Sequence, residues 1–314
     1  MSSMNRFIKH LSIFASLLMA FSAYSSDEGM TKVTHAMGVT SVSKDIKRVV
    51  TLFQGATDSV VALGVTPVGV VDSWAQKPTY RYLRPALKGV SHVGLETQPN
   101  LEAIAALKPD LIIGTRSRHE KIYTQLSQIA PTVLAENVYD FQHSLELTAK
   151  AISRDRKGKE LWSTFQERIG QLREVMKKNH SEWPISVSVL NIRADHLRLY
   201  LQKSFAGSVL HEVGFTFPLP SQTGWGVKLK TKEALPSANA DMFFIILHSD
   251  DEIVRQNYKA WRSHPLWKAL KAPQNGKVYE VDRVTWLLSG GIIGANLMLD
   301  DLYRHFDIIT DSDS

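Results

Sequence analysis

The chain has 314 residues, with 37 Lys and Arg against 31 Asp and Glu, no Cys, and a formal net charge of +6. Without Cys it can form no disulfide, no thiolate metal site and no lipid-modified cysteine. The cationic excess is mild and spread along the chain, unlike the clustered stripe of a nucleic-acid binder, so nucleic acid is not an expected partner.

The first element reads as a leader. Arg6, Lys9 and His10 precede an apolar run from Leu11 to Ala23 that is too short for a comfortable membrane span, and Ala23-Tyr24-Ser25 fits a small-x-small cleavage site. Residues 1–25 are therefore expected to be a cleaved signal peptide, leaving a soluble periplasmic protein. Its loss removes Arg6 and Lys9, leaving 35 basic against 31 acidic residues. About 290 residues remain, enough for two lobes of ordinary size.

VTHAMGVTSVS (33–43) alternates around Gly38 as a short edge hairpin does. RVVTLF (48–53) is a buried strand, and GATDSVVAL opens a helix. VGVVDS (68–73) is a second strand, followed by the aromatic and basic loop WAQKPTYRYLRP (74–85). PNLEAIAALK (99–108) is a helix with Asn100 as its N-cap. DLIIGT (110–115) and PTVLAE (131–136) are further strands, separated by a loop and helix. Strand and helix alternate throughout, which predicts mainly parallel sheets.

Two helical segments follow, FQHSLELTAKAISR (141–154) and GKELWSTFQERIGQLREVMKKNH (158–180). One must carry the chain between lobes. The first is favoured, because the second precedes the strand ISVSVLNI (185–192) as a helix within a lobe would. The alternation resumes to KVYEVD (277–282) and a last helix from Gly294 to Phe306.

The chain also repeats itself. LEAIAALKPDLIIG (101–114) and KEALPSANADMFFII (232–246) each place a Glu, Glu102 and Glu233, eight residues before an Asp, Asp110 and Asp241, that opens an apolar strand. SVVALGVTPVGVV (59–71) and SVLHEVGFTFPLP (208–220) each run a helix to a Gly, Gly64 and Gly214, before a β-type run. Two copies in one order predict an α/β protein of two similar lobes with mainly parallel sheets, joined by a single long helix, with a ligand cleft between them. The boundaries are 26–140 for the N-terminal lobe, 141–156 for the bridging helix and 157–314 for the C-terminal lobe.

Functional residues in such folds follow the C-terminal ends of parallel strands. Those positions hold Phe53 and Gln54; Trp74, Lys77, Tyr80, Arg81 and Tyr82; Arg116, Arg118 and His119; Arg193, Asp195 and His196; Trp225 and Lys228; His248; and Arg283 and Trp286. The set is cationic and aromatic. Arg offers forked donors to anionic oxygens and Trp or Tyr offers flat walls, which suits a bulky, oxygen-rich, partly anionic small molecule. The ligand-binding candidates are Phe53, Trp74, Tyr80, Arg81, Arg116, Arg118, Arg193, Trp225, His248 and Trp286. Trp74 and Trp286 fit lobe-edge packing equally well, and Arg193 and His196 also fit a hairpin surface. Cations at 116 and 118 oppose the dipole of the helix they open, which favours a functional reading. His119 and His248 lie at no metal-ligand spacing, so no metal ligand is expected. No GxSxG elbow, Walker loop or helix-opening GxGxxG occurs, so an enzyme is not expected.

VTHAMGVTSV, RVVTL, ALGVTPVGVVD, VGLETQPNLEAIAALKPDLIIG, HPLWKAL and GKVYEVDRVTWLLSGGIIGANLMLDDL together resemble the bacterial iron–siderophore substrate-binding proteins of ABC importers, over about residues 33–306. The resemblance implies a monomer that captures an Fe(III)–siderophore and delivers it to a permease dimer without catalysis. Iron arrives wrapped in siderophore oxygens, so no resident cofactor is implied. Arg118 matches the Arg of the family's SRH element, which faces anionic ligands; Trp225 in GWG and Trp286 in VTW match aromatic walls. Glu102 and Glu233 match the two acids that dock on the permease. Glu96 stands where many relatives have Arg, and LLSGG carries no Arg. Both departures favour a hydroxamate or citrate–hydroxamate complex over ferric dicitrate. A ferric catecholate, heme or cobalamin is the alternative ligand, and a secreted α/β hydrolase the distant one.

Overall fold

Two sheets flank a shared interior in the computed structural model, which describes residues 29–219 and 224–308. The expected signal peptide lies outside the described residues. A hairpin of β1 (Met30–His35) and β2 (Gly38–Ser43) opens the chain. The N-terminal sheet follows, with its helices: β3 (Val49–Thr51), α1 (Gln54–Ala62), β4 (Gly69–Asp72), β5 (Ser91–Leu95), β6 (Gln98–Pro99), α2 (Leu101–Ala106), β7 (Leu111–Thr115), α3 (Tyr123–Ile129) and β8 (Thr132–Ala135). Its order is β6-β5-β4-β3-β7-β8, parallel except for the β5–β6 edge. Chain order reverses on either side of β3, so the switch point lies at its C-terminal end, beside Phe53.

Two helices then run in succession, α4 (Phe141–Ala151) and α5 (Asp155–Asn179). The C-terminal lobe comprises β9 (Val187–Ile192), β10 (Leu197–Tyr200), α6 (Phe205–Val213), β11 (Gly226–Leu229), β12 (Met242–Leu247), α7 (Glu252–Ser263), β13 (Val278–Glu280) and α8 (Ile292–His305). Its sheet runs β11-β10-β9-β12-β13. Only β9, β12 and β13 are parallel, because β10 and β11 return as antiparallel neighbours. The strand expected after Gly214 is reduced to one parallel bridge, Ser186 with Thr216.

The crossing between lobes falls to α5 rather than to 141–156. The eleven residues of α4 pack on α1, β1 and β8 within the N-terminal lobe. At 1.5 Å per residue α4 spans only about 16 Å, whereas the 25 residues of α5 reach about 38 Å. Helix α5 leaves α4 and ends on α6 and α8, where Arg173 donates to the carbonyls of Glu212 and Val213.

The sequence repeat has a mechanical basis. Asp110 accepts the backbone N–H groups of Lys47 and Arg48, both at 2.9 Å, as the chain enters β3. Asp241 accepts the backbone N–H and hydroxyl of Ser186 just before β9. In each lobe the Asp that opens one strand clips the entry of its parallel neighbour.

A single apolar cluster runs through both lobes, from Val49, Phe53 and Leu111 through Phe141, Phe165 and Ile169 to Val189, Phe244 and Leu299. Asp58 of α1 closes the junction. Its carboxylate accepts from the N–H groups of Ile293 (2.8 Å) and Gly294 (3.0 Å) at the start of α8, and from the Tyr82 hydroxyl (2.9 Å). Side chains at 291 and 55 are forbidden here: a Cβ on Gly291 would lie 2.3 Å from the Asp58 carboxyl, and one on Gly55 2.3 Å from the Gly290 carbonyl. Burial pushes the Asp58 pKa up to about 6, outweighing the hydrogen-bond donors around it. The unfolded group titrates near 3.9, so the folded state binds the proton more tightly. The contribution of this group is therefore full below pH 4 and lost as pH rises through 6. Between pH 4 and pH 7.5, wild type should lose about 2 kcal/mol relative to Asp58→Asn, read from urea unfolding of both proteins at the two pH values.

Candidate functional site

The C-terminal strand ends of both sheets converge on one cleft of about 560 Å³. From the N-terminal lobe it receives Phe53 and Gln54 after β3, Trp74 after β4, Glu96 after β5, Arg118 after β7, and Tyr139 after β8. From the C-terminal lobe it receives Arg193 after β9, Tyr200, Trp225 ahead of β11, His248 and Asp251 after β12, and Arg283 after β13. Six of the ten candidates are thus brought together: Phe53, Trp74, Arg118, Arg193, Trp225 and His248.

The other four point elsewhere. Trp286 is fully buried: its indole N–H donates to Asp301 (2.9 Å) and its ring packs 4.5 Å from Phe244, so it is a core residue and not an aromatic wall. Its neighbours Leu287 and Leu288 reach the cleft instead, because the irregular turn of 284–288 faces Trp286 inward. Tyr80 is likewise buried, donating its hydroxyl to the Leu288 carbonyl. Arg81 is exposed in the turn Arg81–Leu83, away from the cleft. Arg116 pairs with Glu136 on the outer surface, which explains its place at a helix start without a ligand. Glu102 and Glu233 are exposed in the first turns of α2 and of the helical turn Lys232–Ala238, equivalent places in the two lobes.

The N-terminal wall is built around Glu96, only 4 % exposed. It accepts from the Trp74 indole N–H (3.1 Å) and pairs with Arg118 Nε (3.4 Å). Burial pushes its pKa up, while Trp74 and Arg118 pull it back. Arg118 lies over the Trp74 ring, 5.8 Å from its centre. His119, fully buried, accepts the Thr115 N–H and donates to the Glu96 carbonyl (2.9 Å), and so holds this loop in place.

The C-terminal wall is more cationic. Arg283 pairs with Asp250, but Arg193 and Arg198 have no carboxylate partner among the described residues. Arg198 lies over the Trp225 ring at 4.7 Å, and Trp225 stacks on Tyr139 of the opposite lobe at 5.1 Å. Burial, reinforced by Arg193, Arg283, His196 and Arg198, lowers the His248 pKa to about 4, so its ring is neutral at pH 7. Among the described residues, no cluster of three His, Cys, Asp or Glu could hold a metal ion.

Tyr139 and Tyr200 line the cleft and Arg198 lies over Trp225, yet none of the three is among the sequence candidates. Tyr139 follows a parallel strand and obeys the positional rule. Arg198 and Tyr200 lie inside β10, an antiparallel strand to which the rule does not apply. Glu96, in sequence only a departure from the family's Arg, is the anchor of Arg118 and Trp74.

Two α/β lobes fixed by long helices, with ligand-facing side chains gathered at their strand ends, define a receptor for a small ligand. The periplasmic binding protein family matches residues 49–285, and the chain belongs to that family. The achromobactin-binding periplasmic protein of Dickeya dadantii is 51% identical over 261 residues, 82% of this chain and 86% of that one. The Fe(3+) dicitrate-binding periplasmic protein FecB of Escherichia coli is 33% identical over 94% of this chain and 95% of its own. Among solved structures, Staphylococcus aureus SirA complexed with staphyloferrin B is similar at a TM-score of 0.85 and 39% identity, covering 89% of this chain and 99% of that one. Among the described residues no helix is long and apolar enough to cross a membrane.

Replacing Trp286 by Phe should cost about 1–3 kcal/mol of stability, through the lost hydrogen bond to Asp301 and the space left beside Phe244. Urea unfolding at pH 7 measures it.

Proposed function

We propose that the chain is a periplasmic receptor, released from its leader as a monomer, that captures an anionic Fe(III)–siderophore and presents it to an ABC permease without catalysing a reaction. The observation that carries this reading is the convergence of Arg118, Arg193 and Arg283 on one aromatic cleft, with Arg198 against the ring of its Trp225 and Glu96 as its buried carboxylate. The relatives named for achromobactin and Fe(3+) dicitrate, and the structure with staphyloferrin B, support it.

Glu96 and the Arg-free LLSGG remove positive charge and by themselves favour a hydroxamate or citrate–hydroxamate complex. The cleft nonetheless brings Arg118, Arg193 and Arg283 together, with Arg198 over Trp225. Our reading therefore moves to the citrate end of that range, a ferric chelate with free carboxylates that Arg can engage through paired N–H donors. The iron is cargo held by the chelate's own oxygens.

Ferric carboxylate chelates should quench tryptophan emission on titration. Replacing both Trp74 and Trp225 by Phe should remove most of that quenching, and Trp286→Phe should retain it. Arg118→Ala should weaken binding by roughly 2–4 kcal/mol, since Arg118 is the N-terminal lobe's cation at the cleft. Equal affinity in Arg118→Ala, or the absence of binding to every ferric chelate in a panel, would sink the reading.

Glu102 and Glu233 are proposed to dock on the permease through rim-type electrostatic contacts, which set orientation and encounter rate. The double mutant Glu102→Ala, Glu233→Ala should keep ligand affinity and lose siderophore-dependent growth. Growth at the wild-type rate would show that docking lies elsewhere.

A further inference from the structure

The cleft carries carboxylates of its own beside its cations. Five charged side chains line it, Arg118, Arg193 and Arg283 against Glu96 and Asp251, for a formal balance of only +1. The two acids act on a ligand differently. Asp251 is exposed and accepts the Ser249 hydroxyl (2.7 Å), so water and salt screen it. Glu96 is buried in the N-terminal wall, and a fixed charge there is screened far less.

The fold builds Glu96 into that place. It follows β5, and three other segments of the N-terminal lobe supply donors to its carboxyl. They are the Trp74 indole N–H after β4 (3.1 Å), Arg118 Nε after β7 (3.4 Å) and the backbone N–H of Gln54 at the start of α1. His119 fixes the Glu96 backbone by donating to its carbonyl (2.9 Å). Three donors, one of them a cation, favour the ionised form against burial. An acid on a mobile surface side chain turns away from an arriving anion. Glu96 is held where it is, beside Phe53 and Gln54 at the switch point of the sheet.

The pairing with Arg118 has a second effect. A guanidinium grips a carboxylate with two parallel N–H donors, either along its Nε edge or between its terminal nitrogens. Glu96 occupies the Nε edge of Arg118, which leaves the terminal nitrogens for a ligand. One side chain thus lowers both the charge and the donor capacity of this wall.

We propose that Glu96 is the specificity-determining residue of the cleft, a built-in carboxylate that limits how much negative charge a bound ferric chelate can carry. A chelate of low net charge is engaged by Arg193 and Arg283 on the opposite wall. A more highly charged one meets the Glu96 carboxylate and finds Arg118 already half engaged. Selection by a repulsive element lowers affinity for every anion, and most for the most highly charged. The inference rests on the anionic-chelate reading and narrows it to chelates whose charge is largely neutralised by their own iron.

The test is calorimetric titration of wild type, Glu96→Gln and Glu136→Gln with ferric dicitrate, a multiply charged chelate. Glu96→Gln keeps the size of the side chain and an acceptor oxygen for Trp74 while removing the charge. Glu136→Gln removes the same charge from Arg116 on the outer surface. Glu96→Gln should bind ferric dicitrate at least fivefold more tightly than wild type, and Glu136→Gln within twofold of it. A smaller gain, no change or a loss in Glu96→Gln overturns the proposal and leaves Glu96 as a brace for Trp74 and Arg118. An equal gain in Glu136→Gln also overturns it, since net charge alone then accounts for the effect. A neutral ferric trihydroxamate is the uncharged comparison: a gain confined to dicitrate supports the limit, and an equal gain for both overturns it. If Glu96→Gln does not fold, Glu96→Ala is judged by the same criteria. If wild type binds no ferric carboxylate, the proposed function fails. The charge limit then stands if Glu96→Gln acquires dicitrate binding and falls if it does not.

Discussion

One buried carboxylate joins the two lobes beneath the cleft. Asp58 belongs to the helix that leaves the central strand of the N-terminal sheet, and it holds the first N–H groups of the last helix of the C-terminal lobe. A helix start has orphan donors that must be satisfied, and a partner across the junction fixes the helix in place as it does so. With α8 held there, Leu287, Leu288 and Gly290 become part of the cleft wall and Trp286 is turned into the core. The lobes are braced a second time where Arg168 of α5 donates to Asn296 and Asp300 of α8. Two long helices cross-linked in this way restrict the lobes to small relative movements.

The two walls treat charge differently. In the N-terminal lobe Arg118 is compensated by Glu96, which also anchors Trp74, so this wall is a fixed and nearly neutral shelf. In the C-terminal lobe Arg193 and Arg198 have no carboxylate at ion-pair distance, and a half-buried cation of that kind attracts an anion more strongly than a solvated one does. On the proposed reading, an anionic ligand meets free cations on the C-terminal wall and the Glu96-held Arg118 beside Trp74 on the other.

Much of the architecture was legible in the residues. The Glu–Asp interval exposed the duplication because the Asp has the same task twice, clipping the entry of β3 and of β9. The positional rule found Phe53, Trp74, Arg118, Arg193 and His248, since each follows a parallel strand. It failed where the C-terminal sheet turns antiparallel, and so missed Arg198 and Tyr200. Arg116 and Arg118 are two residues apart in sequence and indistinguishable by type; Glu136, just past the next strand, draws the first outward, while the buried Glu96 holds the second at the cleft. Trp286 could not be placed because an irregular turn, not a helical period, decides which of Trp286, Leu287 and Leu288 faces the ligand. The bridge was misassigned because α4 and α5 are both amphipathic, and only length and packing partners separate them.

The apolar cluster that runs from Val33 to beyond Phe244 has no seam at the boundary between lobes. The duplicated halves are therefore lobes in shape but one unit in folding. Separated, each would expose the face it now shares, and neither would keep a complete core. Heat or denaturant should then dismantle the molecule in one cooperative transition, in contrast to receptors whose domains melt in turn.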